Sequence, residues 1–508
     1  MLNTILSYDP RGGVAYTSAF ASDTHVKLVE LSAQVLCILL DYGVPGCPSP
    51  VKNNYEEPSV EYEETHRTGF NIFRNLLARI DSGRELSFIY HGFCRLLRSS
   101  HDSKSSLLPA NSSKRLQCFQ ELLVLLWKCI EENPLFLKHV VNECDVTSLL
   151  VPICFLMYQS RKDPAQVGLV QICTFVLLKL SGERSFGVSL SKPFKLNLPW
   201  DIALFTGGHT DLLCITIHKL IVNGTFKLVP LYSCLLTILC NISPYWRTMS
   251  LVAAVKLVNL FELLSSPKFL YSGEKAYRHL VLLLEVFNNA LQYQYTGNEH
   301  LVYSLIRRKD SFGKLSSLTL EKALEQYDKL YGEKKASRLK ADISVAGNRQ
   351  GNIISFMEVP SQEISSGERY LNENTKNEAG NSIDSCKTHT NSSIDTFVPT
   401  NEWVDEFNRA LPMETITRLL GHLVPVVDEI IDTNQGAVDE SDLLKVLADI
   451  TMVGLLPVPH PIIVRKYQPN QYTALWFTAF LWGVVFLRNQ SPPVFDGGAV
   501  QLFHVDSS

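Results

Sequence analysis

Histidines, cysteines, paired carboxylates and one basic run are the residues in this sequence that could do chemistry. His209 follows Gly207-Gly208, and His218 sits in the apolar run "CITIHKLIV". A metal site needs ligands at a spacing such as His-Glu-x-x-His, and neither histidine has that neighbourhood. Twelve cysteines occur, but no Cys-x-x-Cys pair. Cys37, Cys94, Cys129, Cys154, Cys173, Cys214, Cys234 and Cys240 fall inside apolar helical runs, where a thiol is read as a small hydrophobe. The stretch Gly182 to Gly187 and Gly207-Gly208 lack the lysine and serine or threonine that a phosphate loop needs. There is no Gly-x-Ser-x-Gly elbow and no kinase signature. Glu63-Glu64 lies in polar surroundings, where paired carboxylates are normally solvated. The reading is therefore no catalytic residue, no metal ligand and no cofactor site. What remains is Arg307, Arg308 and Lys309 in "HLVYSLIRRKDSF", the densest basic run. Closing a helix, these cations complement its negative end; the functional alternative is a docking patch for acidic lipid or protein. Lipid recognition usually wants clusters of about 4–8 basic residues, which this run does not reach.

Composition narrows the classes further. The 508 residues carry a net charge of −4, with 46% hydrophobic and 19% charged residues. That is globular material, and it excludes a protein whose main work is neutralising nucleic-acid phosphates. The opening "MLNTILSYDPRGG" has no basic region followed by a long apolar segment, so a secretory signal is not expected and the compartment reads as cytosolic.

The elements that must position these residues are helices. "LVELSAQVLCILLD" (28–41) sets Leu28, Leu31, Val35 and Leu39 on one stripe, the spacing of an amphipathic helix. Similar periodicity recurs at 114–132, 146–160, 165–181, 210–222, 227–243, 247–265, 276–294 and 401–431. The best strand signal is "SFGVSLSKPFKL", and its Pro193 makes a central strand doubtful. The helices come in pairs at a rhythm of about 40 residues, and "LLTILCNIS" resembles the third helix of an armadillo repeat. The expected fold is all-α: an armadillo- or HEAT-like helical solenoid over 1–336, a disordered polar insertion over 337–400, and a C-terminal helical region, 401–508, packing on the solenoid. A compact bundle is the alternative. The insertion is rich in Asn, Ser, Glu and Gly, too polar to offset the entropy of ordering it.

"ALWFTAFLWGVVFLRNQ" poses a separate problem. Its uncharged run, Ala474 to Leu487, is shorter than the roughly 20 residues that span a bilayer. A surface anchor needs a polar opposite face, yet only Thr473 and Thr478 are polar here. Trp476, Phe480, Gly483 and Leu487 form one stripe and Leu475, Ala479, Trp482 and Phe486 the next. Burial among other helices is the expectation, with an integral membrane protein using 474–487 as the alternative.

Several long stretches carry a resemblance: "GERSFGVSLSKPF" (182–194), "LLEVFNNALQYQYTGNEHLVYSLIRRKDSF" (283–312), "VGLLPVPHPIIVRKYQPN" (453–470) and "ALWFTAFLWGVVFLRNQSPPVF" (474–495). They resemble the family of the high-temperature-induced dauer formation protein, the larger relatives of dymeclin. The resemblance covers nearly the whole chain except the polar insertion. It implies a helical, non-enzymatic, peripheral membrane protein of the cytoplasmic face of the Golgi, working as a scaffold in vesicle trafficking and secretory-granule cargo sorting, with trafficking proteins as partners and no nucleic acid. Family members begin with Met-Gly, an N-myristoylation start. This chain begins Met1-Leu2, so the reading is a chain without the family's amino-terminal region and its lipid anchor.

Overall fold

The computed structural model of the protein describes residues 1–10, 23–42, 71–105, 116–195, 202, 205–331, 397–433, 439–452, 454–459 and 461–489. Most of the expected insertion, 337–396, and the pair Glu63-Glu64 lie outside them. The chain forms two compact units, Met1–Asn223 with Ile462–Ser508, and Gly224–Pro461. Among the described residues there are helices and no strand, and the all-α reading holds.

In chain order the helices are α1 (Leu2–Leu6), α2 (Asp23–Asp41), α3 (Ile72–Ala78), α4 (Gly83–Ser105), α5 (Phe119–Glu132), α6 (Pro134–Asn142), α7 (Thr147–Ser160), α8 (Val167–Ser181), α9 (Arg184–Ser189) and α10 (His209–Asn223). The second unit holds α11 (Tyr232–Ile242), α12 (Leu251–Leu264), α13 (Pro267–Leu270), α14 (Tyr277–Tyr293), α15 (Glu299–Ile306), α16 (Lys309–Ser316), α17 (320–331), α18 (Asn401–Ala410), α19 (Glu414–Thr433) and α20 (Glu440–Asp449). The first unit then receives α21 (Gln471–Arg488).

The first unit stacks in two rows: α2 packs on α5 and α5 on α8, while α4 packs on α7 and α7 on α10. Each helix thus covers the apolar face of the third one after it, which is how helical repeats bury what a single pair leaves bare. Asparagines set the corners. Asn71 starts α3 by accepting from the Phe73 and Arg74 amides, and its own amide closes α2 by donating to the Leu39 and Tyr42 carbonyls. Asn133 does the same between α3 and α6, donating to Leu77 and Ile80 and accepting from Phe136.

Two expectations about faces are corrected. On α2 the stripe Leu28, Leu31 and Val35 faces outward, with Leu28 51% and Leu31 52% exposed; the buried side is Val26, Val29, Ala33, Cys37 and Leu40. Both sides are apolar, and the small Ala33 and Cys37 let α2 close on α5, where the Cys37 thiol reaches the Glu121 carbonyl. On α21 neither tryptophan stripe is the buried one. Phe477, Leu481, Val484 and Val485 face the core, and Tyr472, Leu475, Trp482 and Leu487 are exposed. Phe477 stacks on the fully buried Trp127 at 4.7 Å between ring centroids, and Tyr467 meets that same indole edge-on at 5.0 Å. The helix is therefore a one-sided cover on α2, α5 and α8 rather than a cylinder buried all round. The strand candidate is corrected too: its first half is α9, anchored by the fully buried Phe186, and its second half makes only an isolated bridge, Pro193 to Gly208.

In the second unit α14 is the hub, packing on α11, α12 and α19. Polar side chains along α14, and in the loops beside it, hold the later helices. Tyr277 donates to Glu406, Asn288 to the Pro412 carbonyl, Gln292 to Thr415 and Tyr295 to the Leu447 carbonyl; Trp403 returns a bond to the Glu274 carbonyl. Phe261 and Phe312 stack 4.1 Å apart beneath them.

Candidate docking surface

The basic run sits at a sharp junction. Helix α15 ends at Ile306, Arg307 caps it, and Lys309 already opens α16. Only Arg307 thus stands as the cap of a negative helix end; Arg308 is already the N-cap of α16, and Lys309 its first residue, at the opposite pole of that helix. The three cations then part. Arg308 Nε donates to Glu262 Oε1 of α12 at 2.5 Å, and Lys309 Nζ pairs with Asp428 of α19 at 3.2 Å. Arg307 leans on its own helix, its guanidinium 5.9 Å from the Tyr303 ring centroid and 3.4 Å from the Tyr303 hydroxyl.

Beside Arg307 lies a hollow of about 220 Å³. Leu251, Val255 and Val258 of α12 form its apolar wall, Tyr303 of α15 its flank, and Arg308 and Glu440 part of its rim. Leu251 and Val255 are 43% and 41% exposed. The wall exists because Ser250 caps α12 by accepting from the Ala253 amide, which places Leu251 at the first helical position and Val255 one turn on. Glu440 arrives as the first residue of α20, which packs on α15. Sequence reasoning found Arg307 and Arg308 but not this wall. The Leu251–Val255 pair, off the face that buries Ala254, Leu257 and Phe261, was the available signal.

The other candidates resolve into structure. His209 Nδ1 lies 2.8 Å from the Lys192 carbonyl, and burial lowers its pKa despite that bond. His218 is buried within α10. Gly208 donates to the Asp211 carboxylate, making the glycine pair the cap of α10. Burial raises the thiol pKa of Cys37, Cys173, Cys214 and Cys234, and that of Cys94, Cys129 and Cys154 to about 12. A thiol so raised is the inert kind. One arrangement was not foreseen: the Ser87 hydroxyl lies 2.9 Å from His139 Nε2, and His139 Nδ1 lies 2.9 Å from Glu143. The order is that of a hydrolase relay, but Glu143 is 68% exposed and screened by water, and Ser87 lies within α4 rather than on a sharp turn.

Comparison with known proteins is consistent along the chain. The Dymeclin family profile, described as Dyggve-Melchior-Clausen syndrome protein, matches residues 1–484. Protein HID1 of Homo sapiens is 38% identical over 542 residues, covering 99% of this chain and 68% of the relative. Protein HID1 of Dictyostelium discoideum is 30% identical, covering 99% of this chain and 63% of the relative. The Ubp5-interacting protein ftp105 of Schizosaccharomyces pombe is 25% identical over 335 residues, 63% of this chain and 35% of the relative. No solved structure matches.

Proposed function

This chain belongs to the dymeclin family, in its HID1 branch, and from that premise we propose that it is a non-enzymatic scaffold working at the cytoplasmic face of the Golgi in vesicle trafficking and secretory-granule cargo sorting. The observation that carries the reading is the stacked two-row unit with apolar residues turned outward on α2 and α3: Leu28, Leu31, Ile72 and Leu76 are all more than half exposed. Such surfaces suit protein contacts. One relative, the Ubp5-interacting protein ftp105, is named for an interaction with another protein. One acyl chain binds membranes only marginally, so a scaffold of this kind needs a second, protein-mediated contact. The experiment images the chain with and without an added myristoylated leader. A Golgi pattern for the lipidated chain is expected; an even cytosolic spread of both forms would remove the reading.

A second reading has its own observation. Pro164–Ser181 and Phe226–Tyr245 are long and apolar enough to cross a membrane by length and composition, whereas α21 is not one of them. Both segments are 61% buried inside the fold, which favours the peripheral form. Carbonate extraction decides: release into the supernatant is expected, and retention in the pellet would establish an inserted protein.

A further inference from the structure

We propose that the hollow between α12 and α15 is an anchor site for a short protein segment in which a large apolar side chain stands next to an acidic one. This deepens the scaffold reading and rests on it. Three observations converge. The hollow, about 220 Å³, is smaller than the roughly 300–1,000 Å³ of small-molecule sites, and it suits one inserted side chain of the kind that dominates interface energetics. Its wall is apolar and open, with Leu251 and Val255 both over two-fifths exposed. Its polar edge is Arg307. Among the described residues no carboxylate lies within ion-pair distance of that guanidinium, while Arg308 and Lys309 beside it are taken by Glu262 and Asp428.

The same charges choose between occupants. A lipid surface needs a cluster of about 4–8 basic residues, and here one unpaired cation faces outward with Glu440 on the rim. A polyanionic headgroup would be repelled by that carboxylate. A peptide whose acid meets Arg307 and whose far end is neutral or basic satisfies both rims. The acid gains a charge-assisted, two-pronged contact, and the apolar neighbour covers Leu251 and Val255.

The test pans a displayed library of short random peptides on the full chain and measures the enriched peptides, synthesised with a fluorophore, by anisotropy. The expected consensus is a large apolar residue adjacent or next-but-one to Asp or Glu. Val255→Asp and Arg307→Glu should each weaken binding by about tenfold or more. Arg307→Glu should regain affinity for the same peptide with its acid changed to lysine. Lys314→Glu, an exposed basic position on α16 outside the hollow, should change nothing, and circular dichroism checks that each variant is folded. A library that returns no binder, or binders indifferent to both substitutions, overturns the proposal. So does Arg307-dependent retention on phosphatidylserine vesicles without peptide binding, which makes the site a membrane contact. The two readings fail separately. Peptide binding with no Golgi pattern removes the trafficking role, and a Golgi pattern with no peptide binding removes the anchor site.

Discussion

The Trp482 indole nitrogen donates to Asp41 Oδ2 across 3.2 Å, joining the last described helix to the end of α2, some 441 residues earlier in the chain. Thr478, one turn before Trp482, donates to the other carboxylate oxygen at 3.2 Å, and the Arg74 guanidinium stands 3.5 Å away. The Asp41 side chain is only 6% exposed. One carboxylate therefore ties α21 to α2 and α3.

Asp41→Ala leaves an indole donor and a hydroxyl without their acceptor, and leaves the Arg74 guanidinium with only the Leu40 carbonyl and Glu132. A loss of about 1–3 kcal/mol is expected, and it should fall on α21 rather than on the whole unit. Hydrogen exchange checks this. Amides of α21 should lose protection while those of α7 and α8 keep theirs; uniform loss would mean that α21 is not a separately opening element.

At the other end of α21, Arg488 Nε lies 3.4 Å from the Glu121 carboxylate, whose side chain is 1% exposed. Arg488 also donates to the Gln117 carbonyl. Burial raises the Glu121 pKa, with Arg488 pulling the other way. With its pKa raised in the fold, Glu121 binds a proton more readily when folded than when unfolded. Its contribution is thus most favourable below the ordinary carboxylate range and is lost as pH rises through the raised value. Arg488→Ala strands the charged form, and an expected cost of about 2–3 kcal/mol at neutral pH should shrink as the pH is lowered and Glu121 takes up its proton. Glu121→Gln should flatten that dependence. Urea unfolding of the three proteins across a series of pH values measures it, and a pH-independent loss in Arg488→Ala would show that the ion pair plays no part.

The helices themselves were legible because long apolar runs at helical spacing have few other solutions, and α5, α7, α8, α11, α12 and α14 lie where periodicity puts them. Which side faces inward was not legible for α2 or α21. Both are apolar around most of their circumference, so the choice was made by shape, through Ala33 and Cys37 in one case and the Trp127–Phe477 stack in the other. Helix α9 was hidden because "RSFGVS" has no apolar period and is held by a single buried phenylalanine. Of the docking surface, the arginines could be read but their availability could not. The acids that occupy Arg308 and Lys309 lie 46 and 119 residues away, and pairings across such distances leave no local mark.

The Ser87–His139–Glu143 order gives the non-enzymatic reading a direct test. If exposure of Glu143 leaves the imidazole without a fixed, desolvated partner, Ser87 stays an ordinary hydroxyl. The full chain is then expected to show no labelling by a fluorophosphonate probe above that of Ser87→Ala, and no hydrolysis of p-nitrophenyl acetate above that of His139→Ala. Labelling that Ser87→Ala abolishes would make this chain a hydrolase.

Gly297 sits at φ +93°, in the turn that leads into α15, and a Cβ there would lie 2.5 Å from the Arg247 carbonyl oxygen. The Gly297 carbonyl accepts from the Met249 amide at 3.2 Å, and the neighbouring Asn298, fully buried, donates to the Trp246 carbonyl at 2.9 Å. This turn therefore sets the start of α12 against the start of α15, the two helices that line the hollow. Gly297→Ala meets both a disfavoured backbone conformation and a backbone oxygen that cannot swing aside, so a loss of about 2–3 kcal/mol is expected. Gly313→Ala is the contrast: nothing lies within 4 Å of its Cβ position, and inside α16 alanine should gain about 0.5–1 kcal/mol. Thermal unfolding compares the two. If Gly297→Ala melts with the parent, the turn yields freely, and the spacing of Val255 from Tyr303 must be held by the packing of α12 on α15 alone.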